Sequence, residues 1–196
     1  MRWDRFFEDL EDQLDSEWEA ERAALDTEAE RLRLSRVPLR DRLVALAADA
    51  RAAAVQLVDG TTLTGRLGRV GADWFAVASD GAPPTIVPLW AVAGLAADPA
   101  AVLASVRDAD AGPALARRMG LGFVLRDLVR RRIPVAVQVS GGRVLTGTVD
   151  RAGADHLDIA LHEPGAPRRA ENVTGYRIVP FAAIVWVRLE AGADLG

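Results

Sequence analysis

The sequence predicts an α+β fold: two small five-stranded β-barrels in tandem, each preceded by a helix, with an N-terminal amphipathic helix in front. Three observations lead there. The stretch VQLVDGTTLTGRLGRVGAD at residues 55–73 returns as VQVSGGRVLTGTVDRAGAD at residues 137–155, an offset of 82, with ten of nineteen positions identical. A second block, Ile86-Val87-Pro88-Leu89-Trp90-Ala91, returns as Ile178-Val179-Pro180-Phe181-Ala182-Ala183 at an offset of 92. Apolar residues at helical spacing run up to each copy.

Residues 1–36 form the first segment. Trp3, Phe7, Leu10, Leu14, Trp18, Leu25 and Leu32 recur at helical spacing, with a gap at Glu21. Three bulky aromatics, Trp3, Phe6 and Phe7, open it. Such a stripe must be buried against something. Trp3, Phe6, Phe7, Leu10, Leu14 and Trp18 are therefore candidate partner-binding residues.

Residues 37–97 hold the first helix and barrel. Pro38 stands near the start of a helix from Leu39 to Ala53, with Leu39, Leu43, Leu46 and Ala50 on one face. Val55, Leu57, Leu63, Leu67 and Val70 then alternate as in a hairpin. Asp59-Gly60 suits a tight two-residue turn that needs positive φ. Gly65 sits inside the second strand, the position of a bulge or barrel corner. Trp74 to Ala78 gives a third strand. The Ile-Val-Pro block gives a fourth, ended by Pro88, and Val92 to Ala96 a fifth. Five short, bent strands in so few residues predict a small barrel.

Residues 98–132 read as a helical linker ending in a helix from Leu121 to Arg132, with Leu121, Val124, Leu125 and Leu128 on one face. Residues 133–190 repeat the barrel, with Gly141-Gly142 at the turn, Gly147 at the corner, and strands at His156 to Leu161 and Ile184 to Leu189. Between its two blocks this copy carries ten extra residues, within HEPGAPRRAENVTG at 162–175. Residues 191–196 are a tail.

Composition narrows the function classes. There are no cysteines, which excludes disulfides and thiolate-ligated metal, and all 24 basic residues are arginine. No apolar run approaches the roughly 18–20 residues of a membrane span. The amphipathic, acidic N-terminus is not that of a signal peptide, so a bacterial cytoplasmic location is expected. Asn172-Val173-Thr174 is then a chance glycosylation match. Residues 1–35 hold 5 Arg and 12 acids, net −7, whereas residues 36–196 carry net +3. An acidic segment of this kind is either a solvated helix face or an interaction element.

The strand motifs, read together, resemble the Sm-like family and are similar to SH3-like and PRC-type barrels. The resemblance covers about residues 39–97 and 121–190. Val-x-Leu-x-Asp-Gly-x-x-Leu-x-Gly looks like the first half of an Sm motif. Asp73-Trp74-Phe75 and Asp155-His156-Leu157-Asp158 fall where that family has an Asp-x-x-Asn turn that binds RNA bases. Ala76 and Asp158 stand at the family's Asn position, and Pro-Leu-Trp-Ala and Pro-Phe-Ala-Ala replace its basic second loop. The resemblance therefore bears on fold more than on an RNA pocket. The tandem arrangement is also similar to an actinobacterial family with no assigned activity.

Arg117, Arg118, Arg126, Arg130, Arg131 and Arg132 lie in sixteen residues that include one acid, Asp127. Arginines pair bidentately with phosphates, so Arg126, Arg130, Arg131 and Arg132, with Arg168 and Arg169 of the long loop, are candidate nucleic-acid contacts. The competing reading is a solvated helix face paired with acids. A helix-turn-helix lacks its first helix, since Gly112-Pro113 and Gly120 interrupt the segment upstream. Trp74 and Trp90 would stack on bases or plug an interface or core, and Trp186 reads as core. By strand parity His156, Asp158 and His162 would share a face if the strand ran regularly as far as 162, a weak metal set with no counterpart in the first copy; surface polar residues are the simpler account. No phosphate-cradling loop, nucleophile elbow or metal-binding helix is present. The expectation is a non-enzymatic interaction or adaptor protein without cofactor, metal, membrane contact or small-molecule substrate, acting through a protein partner or self-association. The alternative is an RNA-binding or regulatory protein of Sm-like type that takes single-stranded RNA.

Overall fold

The computed structural model describes residues 2–107 and 109–190, with side chains at 18, 19 and from 21 onward. The chain falls into two compact units, Met1–Pro38 and Leu39–Gly196. In the first unit, α1 runs from Arg2 to Ser35 as one helix of 34 residues. Glu28–Arg31 and Glu30–Arg33 pairs at i, i+3 spacing brace its surface, at 3.6 and 2.7 Å. Trp18, Leu25 and Leu32 are exposed. The side chains of Trp3, Phe6, Phe7, Leu10 and Leu14 lie outside the described residues, as does the 191–196 tail.

The second unit is α+β. It contains α2 (Leu39–Ala48), β1 (Ala52–Leu57), β2 (Thr62–Val70), β3 (Trp74–Ala78), β4 (Thr85–Pro88) and β5 (Val92–Ala96). The linker supplies α3 (Pro99–Arg107) and α4 (Leu121–Arg131). Then come β6 (Pro134–Val139), β7 (Arg143–Ala152), β8 (His156–Leu161), β9 (Gly175–Pro180) and β10 (Ile184–Leu189). The four strands whose bounds the alternation predicts, at 74–78, 92–96, 156–161 and 184–189, stand where expected.

All ten strands join one antiparallel sheet in the order β5-β1-β2-β3-β4-β10-β6-β7-β8-β9, and this sheet is not closed. The two halves have the same internal order, since β6 to β10 repeat β1 to β5. They meet where β4 pairs with β10, Ile86 opposite Val187 and Thr85 opposite Arg188. This seam exchanges cores. Trp74, Ala76 and Ile86 of the first half pack into the cluster built by Leu121, Val135, Leu157 and Val187 of the second. Val185 and Trp186 of the second half pack into the cluster built by Leu43, Val55, Phe75 and Val87 of the first.

Two local expectations need correction. The first helix stops at Ala48, not Ala53: Ala50 takes a left-handed φ of 53°, and Ala52 to Leu57 serve as a strand bonded on both sides, to β2 and β5. Tertiary pairing outweighs the helix propensity of an alanine run. The hairpin turns also close with three residues rather than two. Leu57 N–H donates to the Thr61 carbonyl across Val58-Asp59-Gly60, and Val139 pairs with Arg143 across Ser140-Gly141-Gly142. Gly60 and Gly142 hold φ of 85° and 84°, the left-handed last position of such a loop. Gly65 and Gly147 are needed for a different reason: a Cβ there would collide with the Ala78 and Ala160 carbonyls of the neighbouring strand.

The helical repeat extends the offset of 82. Leu39, Leu43 and Leu46 of α2 match Leu121, Leu125 and Leu128 of α4, and the two helices lie over matching strands, β2 and β7. α3 is pinned to α2 by Arg42, whose guanidinium donates to Ser105 Oγ at 3.1 Å and to the Val102 carbonyl at 3.0 Å.

Candidate functional site

The first candidate site grows from the C-terminal turn of α4. The helix buries Leu121, Val124, Leu125 and Leu128 and turns its arginines outward. It ends at Arg132, which takes the left-handed cap (φ 52°) and donates its N–H to the Leu128 and Val129 carbonyls. That turn, β7 and the long loop enclose a polar cleft of about 450 Å³ lined by Arg130, Arg132, Arg168, Asp150 and Thr148. The helix arginines and the loop arginines thus converge, although nearly forty residues separate them in sequence.

Acids temper this charge. Asp150 accepts both ends of the Arg168 guanidinium, which also reaches the Tyr176 hydroxyl at 3.4 Å. The Asp150 hydrogen bond and charge push the Arg168 pKa above its ordinary value. Asp127 accepts from Arg130 at 2.5 Å and lies 3.5 Å from Arg131. Arg132 makes no side-chain hydrogen bond or ion pair among the described residues. Three of the six predicted arginines, Arg130, Arg132 and Arg168, share the cleft. The other three do not: Arg131 is held to Asp127, Arg126 reaches the Gly153 carbonyl at 3.4 Å, and Arg169 sits 3.8 Å from Glu171. Asp150, which lines the cleft and holds Arg168, carries no motif and escapes sequence reasoning.

The two loops at the Asp-x-x-Asn position serve different ends. In the first copy, Asp73 Oδ1 accepts the Leu121 N–H at 2.7 Å, capping α4 where Gly120 has no side chain to do so. Trp74 is buried and donates from Nε1 to the Met119 carbonyl at 2.8 Å. That loop is spent on internal structure, and Trp74 plugs a core. In the second copy, Asp155 and His156 are solvent-facing and bond each other at 2.9 Å. Trp90 straddles the seam, with Nε1 donating to the Ile184 carbonyl at 3.1 Å. Trp186 is buried, as expected, but in the core of the opposite half.

The parity placing His156, Asp158 and His162 on one face fails, because the strand stops at Leu161 and His162 turns inward. Its ring nitrogens lie 2.9 Å from Thr148 Oγ1 and 3.0 Å from the Glu163 carbonyl. Among the described residues, no three His, Cys, Asp or Glu side chains are grouped to hold a metal ion. No helix among them is long and apolar enough to cross a membrane.

Two further features bear on binding. An apolar cavity of about 370 Å³ lies between α2, the β2–β3 turn and the linker, lined by Val44, Ala47, Val70, Trp74, Leu115 and Met119. Sequence reasoning read the 112–120 stretch as part of a helical linker that Gly112-Pro113 and Gly120 interrupt, with Arg117 and Arg118 in its basic run, and not as the wall of a cavity. The other feature is the outer strand β9, which places Tyr176 and Ile178 in solvent, Ile178 with 73% of its surface exposed. Its repeat counterpart Ile86 is fully buried at the seam. No protein-family model, no curated protein and no solved structure matches this chain.

Proposed function

We propose that this is a non-enzymatic interaction or adaptor protein built on a duplicated small β-barrel of Sm-like or SH3-like type, and that it binds protein through the open edge of β9. One observation carries the reading: an outer strand of six residues, paired with β8 on one side only and with no proline before its last position, leaves Tyr176 and Ile178 uncovered. Soluble proteins usually blunt such edges, because free N–H and C=O groups beside apolar side chains recruit another strand. A photo-reactive phenylalanine analogue in place of Ile178 tests it in cells. A discrete covalent adduct is expected there and not at Val58, another exposed apolar site, on a hairpin turn. Absence of an adduct at position 178 overturns the reading.

The arginine cleft favours a second reading, an RNA-binding or regulatory role. Arg130, Arg132 and Arg168 would contact phosphates of single-stranded RNA, with Arg126, Arg131 and Arg169 on its flanks. Binding of that kind weakens steeply with salt. Titration of labelled single-stranded RNA at two salt concentrations decides it. Affinity that is unchanged by salt, or unchanged in an Arg130→Ala, Arg132→Ala double variant, refutes it.

A further inference from the structure

We infer that the apolar cavity between α2, the β2–β3 turn and the linker binds a small amphipathic carboxylate. Its tail lies against Val44, Ala47, Leu115 and Met119, and its head meets the arginines at the β2 wall. The cavity shares no lining residue with the arginine cleft, and no residue of β9 lines it. A space of about 370 Å³ is far larger than the voids left in a packed interior and falls in the range of small-molecule sites. At roughly 30 Å³ each, the share of a water molecule, about a dozen non-hydrogen atoms fit, which is an alkyl chain of about ten carbons with its carboxylate.

The repeat shows that the fold does not require this space to stay apolar and open. At the offset of 82, Val44, Ala47 and Trp74 become Arg126, Val129 and His156. Arg126 reaches the Gly153 carbonyl at 3.4 Å, and α4 still lies over β7 as α2 lies over β2. Larger or polar side chains are thus compatible with the same packing, and the first copy lacks them. The linker wall is fixed at both ends. Arg40 Nη1 donates to the Ala111 carbonyl at 2.7 Å, and the Met119 carbonyl accepts from Trp74 Nε1 at 2.8 Å and from the Ala72 N–H at 2.9 Å. Between these anchors Leu115 has 70% of its surface exposed. A tail in the cavity takes apolar surface of this kind out of water.

Two guanidinium groups select the head. Arg40, with a side chain 13% exposed, donates from Nε to the carbonyl of Gly71, a residue of the cavity wall, at 2.7 Å, and from Nη1 to Asp41 at 3.0 Å. Its Nη2 is buried and has no acceptor among the described residues. Nη2 shares with Nε the guanidinium edge that faces Gly71, so the unmet donor stands at that wall. A buried donor calls for an acceptor. Arg69 lines the same wall; it is exposed and makes no side-chain hydrogen bond or ion pair among the described residues. No acidic residue lines the cavity. The charge there favours an anion over a cation, and a carboxylate matches the planar donor edge of arginine.

The test is isothermal titration of the full-length chain with decanoate, against decanol and decyltrimethylammonium as neutral and cationic heads on the same tail. Decanoate is expected to saturate a single site with a dissociation constant on the order of 10–100 μM. It should bind about tenfold or more tighter than either control. Arg40 also holds Gly71 and Ala111, so the head is tested at Arg69. Arg69→Gln, at an exposed position, should weaken decanoate about tenfold and leave decanol unchanged. Ala47→Leu and Ala116→Leu fill the cavity from α2 and from the linker and should each abolish binding in a chain that is folded by circular dichroism. Val129, at the position matching Ala47, shows that the helix accepts a branched side chain there. Four results overturn the inference: no saturable decanoate binding, equal affinity for the three heads, an affinity that Arg69→Gln leaves unchanged, or binding that survives in the folded filled-cavity variants.

Discussion

The duplicated loop supplies an internal control for helix capping. Asp73→Ala removes the side chain that caps α4. Loss of an N-cap acceptor costs about 0.5–2 kcal/mol. The negative charge beside the helix N-terminus adds about 0.3–1 kcal/mol. Since the bond is 2.7 Å and Leu121 is fully buried beneath it, the upper part of that range applies, about 2 kcal/mol. At about 2–4 °C per kcal/mol for a unit of this size, the melting temperature falls by roughly 4–8 °C. Asp73→Asn keeps the acceptor and loses only the charge, so its deficit is under about 1 kcal/mol. Asp155→Ala at the matching position removes an exposed carboxylate and shifts the melt by about 0.5 kcal/mol or less. Thermal denaturation of the three variants, at a dilution that keeps the chains apart, provides the comparison. Equal effects of Asp73→Ala and Asp155→Ala would refute the capping argument.

Three other outcomes follow from the geometry. Gly65→Ala and Gly147→Ala each force a Cβ against a neighbouring carbonyl and should lower stability by about 1–3 kcal/mol, seen as a lower urea midpoint with an unchanged slope. Ile86→Asp, which buries a carboxylate in the seam, should prevent cooperative folding, whereas Ile178→Asp at the repeat position leaves the dilute protein's melt within about 0.5 kcal/mol of wild type. Trp90→Phe removes the indole bond to Ile184 and should cost about 0.5–1.5 kcal/mol in chemical denaturation; no change would mean that the bond across the seam contributes nothing.

Strand positions were legible in the sequence because their signals are local. The runs at 74–78 and 184–189 are compact apolar stretches bounded by turn residues, and their bounds need no knowledge of what they pair with. The end of α2 was not legible, because the alanines at 52–54 become a strand only when β2 and β5 lie on either side. The seam was beyond reach for a sharper reason. Ile86-Val87-Pro88 and Ile178-Val179-Pro180 are the same three residues, yet the first isoleucine is buried and the second exposed. Nothing within either triplet distinguishes them; the difference lies in which edge meets β10. The arginine cleft was half legible. Both arginine groups stood out by density, while their meeting over Asp150 depends on the fold of the long loop.

The exchange of core residues across the seam also sets the order of events during synthesis. The outer edge of β4 leaves the ribosome with no strand to pair with until Val187 and Arg188 have been made, about a hundred residues later. At about 5–20 residues per second, that leaves a nascent apolar strand edge uncovered for roughly 5–20 s. During that interval the core of the first half lacks Val185 and Trp186, which the last strand of the second half supplies. The growing chain is then a substrate for holding chaperones, and two neighbouring nascent chains have a route to exchange their β10 strands.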